Sequence, residues 1–477
     1  MSKTVGGLNI KILALIVVIV LVGGIGGYYF FIMNQGTQPQ EKGITLTIIT
    51  RHDTTIQRTF EEAFLKTNLA EQYNITDIKW LSPVPGLWDE VIDQGGIDIA
   101  WGGGPTLFDL LLEDNYLLPL NSSLVISEME NINDTIAGAP MKRFNDQHQV
   151  MWVAAAISSF GFTINKHFLS TNGLPEPDTW DDLASPTFGK LLPTPSVAMG
   201  NAPATTSNTR IYEIILEGFG WEDGWSILVR MGGNAKIYQG SVETQSAAET
   251  GEVGVSMSID FYGYTTQLKN PDCKYVLPKG QTIVNGDPIA LVKTTEHSEA
   301  AQAFIAWVLS VDGQALWLNE NINRMPVRGD VFTKTDAGKN RQDLYAIFNE
   351  TIHNIGIPFN DSRVLSYEEA MRYYFEAIIT NAHENLVNAW KAIVDAYLSG
   401  KIDNATYNQL VQELTAPISW TEDGTTYTFT MEYAQSINNR VKTDTAFTQQ
   451  MQSIWTQAAI QQYDAVLDHV NQLTGGS

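Results

Sequence analysis

From Ile44 to about Phe359 two hydrophobic periods take turns along the chain. Ile44–Thr50 (ITLTIIT) is β-branched and reads as a strand, and Thr54–Thr67 then sets Ile56, Phe60, Ala63 and Phe64 on one helical face. Ile75–Leu81 and Ile97–Trp101 read as further strands, with Leu87–Asp93 as a helix between them. A middle stretch from about Val150 has strand signals at Met151–Ile157, Phe160–Asn165 and Val253–Ile259, and helical spacing at Thr209–Phe219 and Val242–Glu249. Pro288–Leu291 and Glu299–Leu309 resume the first pattern. Alternation of this kind predicts α/β layers around a mostly parallel sheet. Past Pro358 only one of the 18 prolines remains, and Tyr373, Tyr374, Ala377, Ile378 and Trp390, Ile393, Val394, Tyr397 keep helical spacing. The C-terminal part is expected to be helical, with a short hairpin at Trp420–Thr430.

The N-terminus carries a different signal. Ile12–Met33 is an uncharged apolar run whose helix would reach about 33 Å, enough for a hydrocarbon layer of about 30 Å. Tyr28–Phe31 lie at its outer end, and Lys3 and Lys11 precede it, which keeps residues 1–11 cytoplasmic. No small-x-small cleavage site follows, and an uncleaved single-pass anchor is expected in the cell membrane. Asn34–Gly43 then reads as a flexible stalk and the remainder as extracellular. Six N-x-S/T triplets, at Asn74, Asn121, Asn133, Asn349, Asn360 and Asn404, fit an outward-facing glycoprotein.

Four segments repeat one design, in which a strand ends and small or polar residues open a helix or loop. They are Thr50–Thr55 (TRHDTT), Gly102–Thr106 (GGGPT), Ala204–Arg210 (ATTSNTR) and Ser256–Thr266 (SMSIDFYGYTT). In open α/β sheets such loops converge at the carboxyl ends of strands, where ligands collect. Asp53 reads as a helix cap, Ser207 or Asn208 as another, and Arg210 as paired with a carboxylate on its own helix.

Composition narrows the chemistry. A net charge of −24 disfavours nucleic acid as a partner, and the lone Cys273 excludes an intrachain disulfide and a cysteine-built metal site. GxSxG, HExxH and GxxxxGK[ST] are absent, which argues against an enzyme of those classes.

With these residues in view the chain resembles the extracellular solute-binding proteins of ABC importers, in the branch of ferric-iron, polyamine and thiamine binders. The resemblance rests on Ile48–Asp53, on Asp98–Leu111 (DIAWGGGPTLFDLL), and on Ser158–Lys166 (SSFGFTINK). Pro177–Pro195, Gly251–Tyr264 and Asn285–Trp317 continue it. It implies a two-lobed periplasmic-binding-protein-like fold, with lobe 1 from residues 44–149 and 282–367, lobe 2 from 150–281, and residues 368–477 as an added helical extension. It also implies hinge closure on a small polar solute and delivery to a permease with its ATPase. The expected ligand contacts are His52, Asp53, Thr54, Gly103, Gly104, Ser158, Ser159, Ser207, Asn208, Asp260, Tyr262 and Tyr264. Ferric members of the branch use a histidine and two adjacent tyrosines; here His52 and Tyr262 stand at such places, but Phe261 replaces the second phenol. Fe3+ as cargo is therefore one expectation, and another small ion or organic solute the other. An anchored enzyme and a sensor whose helical tail docks a partner are the alternatives.

Overall fold

The computed structural model describes residues 43–354 and 356–475. The apolar run 12–33 and nearly all of the stalk lie outside them; among the described residues no helix is long and apolar enough to cross a membrane.

Lobe 1 opens with β1 (Ile44–Thr50), α1 (Thr54–Phe64), β2 (Ile75–Leu81), β3 (Ile99–Trp101) and α2 (Pro105–Glu113). β1 pairs in parallel with both β2 and β3, as the strand–helix alternation requires. The two strand signals at Met151–Ile157 and Phe160–Asn165 are one continuous strand, β4 (Val150–Asn165), buried along nearly its whole length. Ser158 and Ser159, which break the apolar pattern, lie in its middle, where their polar atoms find buried partners.

β4 leads into lobe 2, built from β5 (Val197–Gly200), α3 (Ser207–Phe219), α4 (Trp221–Gly233), β6 (Ala235–Tyr238), α5 (Ser241–Glu249), β7 (Val255–Ile259), α6 (Asp260–Lys269) and β8 (Cys273–Val276). β9 (Val284–Val292) returns to lobe 1, followed by α7 (Ser298–Leu309). The continuous sheet order is β6-β5-β7-β4-β9-β3-β1-β2. β4 pairs antiparallel with β9 from Val153 to Ser159 and with β7 from Phe160 to Ile164, so one strand belongs to both lobes.

The chain crosses a third time between Phe348, in the lobe 1 core, and Val364, in the lobe 2 core. This crossing runs beside β9, where Ile357 N donates to Thr282 O at 3.1 Å, and Ile357 then packs against Gly218 of α3.

The C-terminal helices are α8 (Glu368–Phe375), a π-helical turn over Glu376–Asn381, α9 (His383–Leu398), α10 (Asn404–Thr415), α11 (Met431–Thr443) and α12 (Thr445–Thr474). The hairpin is present as Ser419–Glu422 against Thr425–Thr428. These helices share one apolar core with lobe 2. Gly232 and Gly233 at the end of α4 let Ile379 and Trp390 in so closely that a Cβ would lie 2.7 and 2.6 Å from them. Trp390 Nε1 donates to the buried Asn234 Oδ1 at 2.6 Å, and Tyr212 of α3 stacks on Phe375 with ring centres 4.4 Å apart. Of the residues read from sequence as part of lobe 1, Arg363, Val364 and Tyr367 pack with lobe 2, as Tyr367 does against Trp221, while Asp361 touches both lobes.

Candidate functional site

The cleft between the lobes is floored by the rungs where β4 meets β9. On the lobe 1 side β1 ends at Thr50, and His52 follows with its ring packed 4.8 Å from Trp101 and 5.6 Å from Trp317. Gly102, Gly103 and Gly104 have φ of +78°, +116° and +88°, a conformation that side chains disfavour. The turn also needs the missing side chain, since a Cβ on Gly102 would come within 2.4 Å of His52 Nε2.

Arg324, on the loop before Met325, organises the centre. Its Nη2 donates to Ser158 Oγ at 3.2 Å and pairs with Asp287 Oδ1 at 3.2 Å. Its Nη1 lies 3.4 Å from His52 Nδ1, so that nitrogen is the acceptor and Nε2 carries the proton. His52 Nε2 stands 3.1 Å from Asp287 Oδ2, yet the angles do not make a hydrogen bond and both atoms are left unpaired. The guanidinium lies 5.1 Å from the Phe261 ring of lobe 2. Arg324 Nε is buried without a partner. Burial, reinforced by the cation of Arg324, holds the His52 imidazole well below its usual range, so it is neutral. Burial also raises Asp287, against the pull of Arg324.

On the lobe 2 side β7 delivers Asp260 to the first turn of α6. Ser159 N and Phe261 N each donate to its carboxylate at 2.7 Å, and Ser159 Oγ at 3.2 Å. Those donors favour the anion, but complete burial outweighs them and pushes the group up to about 7. An acid whose folded pKa lies above its unfolded value near 3.8 binds more protons in the folded state. Its contribution to stability is therefore greatest below pH 4 and is lost as pH rises towards 7, by up to about 1.4 kcal/mol per pH unit. Urea unfolding of Asp260→Asn against the parent from pH 4.5 to 8 is expected to isolate that slope. Equal slopes in the two proteins would refute it.

Several expected contacts do meet. His52 and Ser158 share Arg324, and Ser159 holds Asp260. Tyr262 is half-buried, and Asp53 of lobe 1, Glu243 of α5 and Arg324 all bear on its phenol, which burial raises. The N–H of Gly103 supports the Asp287 anion, and Gly104 is the residue before α2.

Others stand apart. Asp53 caps α1 through Thr55 N and Ile56 N, and Thr54 is exposed beside it. Neither Ser207 nor Asn208 caps α3: Ser207 Oγ donates to Ser241 Oγ, and Asn208, almost wholly buried, accepts from Gly200 N at 3.0 Å. The segment after Ile259, expected to open a helix or loop, is the helix α6, whose pitch turns Tyr264 into the core against Tyr275, 5.2 Å away.

Sequence reasoning missed Arg324 and Asp287. Asp287 had a readable signal, a carboxylate opening the buried run Pro288–Val292. Arg324 had none. The reading of Arg210 was incomplete. It pairs with Glu213 on its own helix at 3.1 Å, but also with Asp361 of the third crossing at 2.6 Å.

A sequence profile of the bacterial extracellular solute-binding proteins matches residues 95–346, slightly more than half of the chain. The phosphoglycerate transport regulatory protein PgtC of Salmonella typhimurium is 24% identical over 327 residues, covering 67% of this chain and 74% of the relative. Two solved structures have similar folds. An ABC transporter protein from Clostridium perfringens aligns with a TM-score of 0.51 and 18% identity, over 69% of this chain and 97% of its own. The spermidine/putrescine ABC transporter substrate-binding protein PotD from Streptococcus pneumoniae aligns with a TM-score of 0.50 and 16% identity, over 69% and 99%. A two-lobed α/β architecture, a polar centre walled by both lobes and a profile match spanning β3 to the lobe 1 return have one explanation: the chain belongs to the bacterial extracellular solute-binding proteins, the solute-capturing components of ABC importers.

Proposed function

We propose that this protein captures a small anionic solute between its lobes and presents it to an ABC importer on hinge closure. Arg324 carries the reading: a buried guanidinium in the cleft, with a free Nε, touching strand, loop and opposite lobe. Asp287 already pairs with its Nη2, so Nε is the donor left open, and a solute carboxylate or phosphate matches that edge of the guanidinium. The neutral His52 adds no ligating anion, and the N–H groups of Gly102 and Gly103 in the glycine turn are already given to Pro288 O and Asp287. A ferric cargo is the weaker reading, because a fixed cation 3.4 Å from His52 repels a metal cation. The name of the Salmonella relative, which refers to phosphoglycerate, supports an acidic solute. The run 12–33 would hold the receptor at the outer face of the membrane, where glycosylation of its sequons would take place.

Thermal shift with inorganic phosphate, 3-phosphoglycerate, glutarate, spermidine and Fe3+ tests this. An acidic probe at 100 times its dissociation constant adds about 2.7 kcal/mol, and its melting point should rise with concentration. Stabilisation by spermidine or Fe3+ alone would reject it. A sensor is the second reading, favoured because the same relative is named a regulatory protein. Stimulation of a permease–ATPase pair by the solute-loaded receptor separates the two.

A further inference from the structure

The cleft holds a second guanidinium, and its surroundings point to the shape of the solute. Arg210 lies in the first turn of α3 and faces the first turn of α2 on the other lobe. Nη1 donates to Thr106 Oγ1 at 3.3 Å, and Nη2 to Asp361 Oδ1 at 2.6 Å. Thr106 Oγ1 donates to the same Oδ1 at 3.2 Å, and Arg143 Nη2 lies 4.0 Å from Asp361 Oδ2. One carboxylate thus occupies a place walled by a hydroxyl, an uncapped helix start and the Arg210 guanidinium, with Arg143, itself paired with Asp109 at 2.7 Å, more remote. That carboxylate comes from the third crossing.

The place is built for an anion and is reachable. Arg210 is 8% exposed, and its Nε has no partner. A cavity of about 550 Å³ borders the cluster at Asp361, lined also by Pro105, Asn285 and Phe359, whose ring lies 4.1 Å from the Arg210 guanidinium. Burial beside Glu368 raises the Glu213 carboxyl, which weakens its claim on Arg210 and leaves Asp361 as the main counter-charge.

The two arginines share one rung of the hinge. Arg210 Nη2 reaches Asn285 Oδ1 at 3.4 Å, while Arg324 Nη2 reaches Ser158 Oγ at 3.2 Å. Asn285 and Ser158 are paired across β9 and β4, so their side chains project from the same face. Adding the two short side chains and their contacts to a Cβ separation of about 5 Å, the guanidinium groups lie at most roughly 15 Å apart. That span suits a chain of three to five carbons with an acidic group at each end.

We propose that Asp361 is a tethered stand-in for the second acidic group of the solute: a two-headed acid places one head at Arg324 and the other on Arg210 and Thr106, displacing Asp361. This rests on the anionic-solute reading above. Removing the stand-in removes an internal competitor, so affinity for a two-headed acid rises. Removing Arg210 takes away the reason for preferring two heads.

Calorimetric titration of the whole receptor with glutarate and 3-phosphoglycerate, against butyrate and inorganic phosphate, is the test. The parent should prefer the two-headed probes; Asp361→Asn should raise that preference about tenfold, and Arg210→Gln should bring it near one. Asp361→Ser, screened by circular dichroism, serves if the asparagine variant misfolds. If single-headed probes bind the parent as tightly, or if neither Asp361 variant raises the ratio, Asp361 is only a structural pin and the proposal falls. If no acid binds the parent, the anionic-solute reading itself fails.

Discussion

Removing residues 366–477 is expected to abolish the folded state of lobe 2, leaving a chain that aggregates or is digested in a protease assay. Helices at a chain end often act as appendages that can be trimmed, but here they complete a core. Trp390, Phe375, Tyr374, Phe429 and Trp455 are buried in the same cluster as Tyr212, Ile215, Leu228 and Met231 of α3 and α4. Tyr374 stacks on Phe429 with centroids 3.6 Å apart, and Trp225 meets Tyr374 edge-on at 4.9 Å. Trimming would expose a continuous apolar face far beyond what a soluble monomer tolerates. A milder variant grades the effect. Trp390→Ala opens a cavity worth about 3–5 kcal/mol and leaves the buried Asn234 Oδ1 without its donor, at about 1–3 kcal/mol more. A truncated protein that unfolds cooperatively and keeps its solute affinity would overturn this account.

Arg324→Gln is expected to eliminate the thermal stabilisation given by acidic solutes. Two effects must be kept apart, because the substitution also strips Asp287 of its cation. Breaking a buried pair from one side costs about 3–5 kcal/mol of stability, so the unliganded melting point will fall as well. The informative quantity is therefore the shift on adding solute. Arg324→Lys sharpens the comparison, since it keeps a charge but loses the planar fork. It should retain most of the unliganded stability and lose at least tenfold in affinity, about 1.4 kcal/mol. Should the lysine variant bind acids as the parent does, the fork is not the recognition element.

Much of this cleft was written locally. The β-branched run before His52, the three glycines before Pro105 and Asp260 directly after the run Val253–Ile259 each declare a strand end within a few residues. What escaped was non-local. Arg324 sits in NINRMP, a loop with no period, and its partner His52 is 272 positions away. Asp361 follows a proline-containing connection and meets Arg210 only because the chain crosses the hinge once more. Tyr264 and Asn208 were misplaced for a different reason. Each falls on a helix whose phase, set by packing, turns it inward. The two serines of β4 looked like a break because polar residues interrupt apolar runs; in the fold they mark where the lobes join.

The third crossing has a mechanical consequence. Two adjoining strands alone would let the halves of the molecule twist about each other as well as bend. A further tether alongside β9, fastened by Ile357 to Thr282, works like a second pin on a door. Such a pin would favour one swing over twisting, and closure about it would bring the same residues face to face each time.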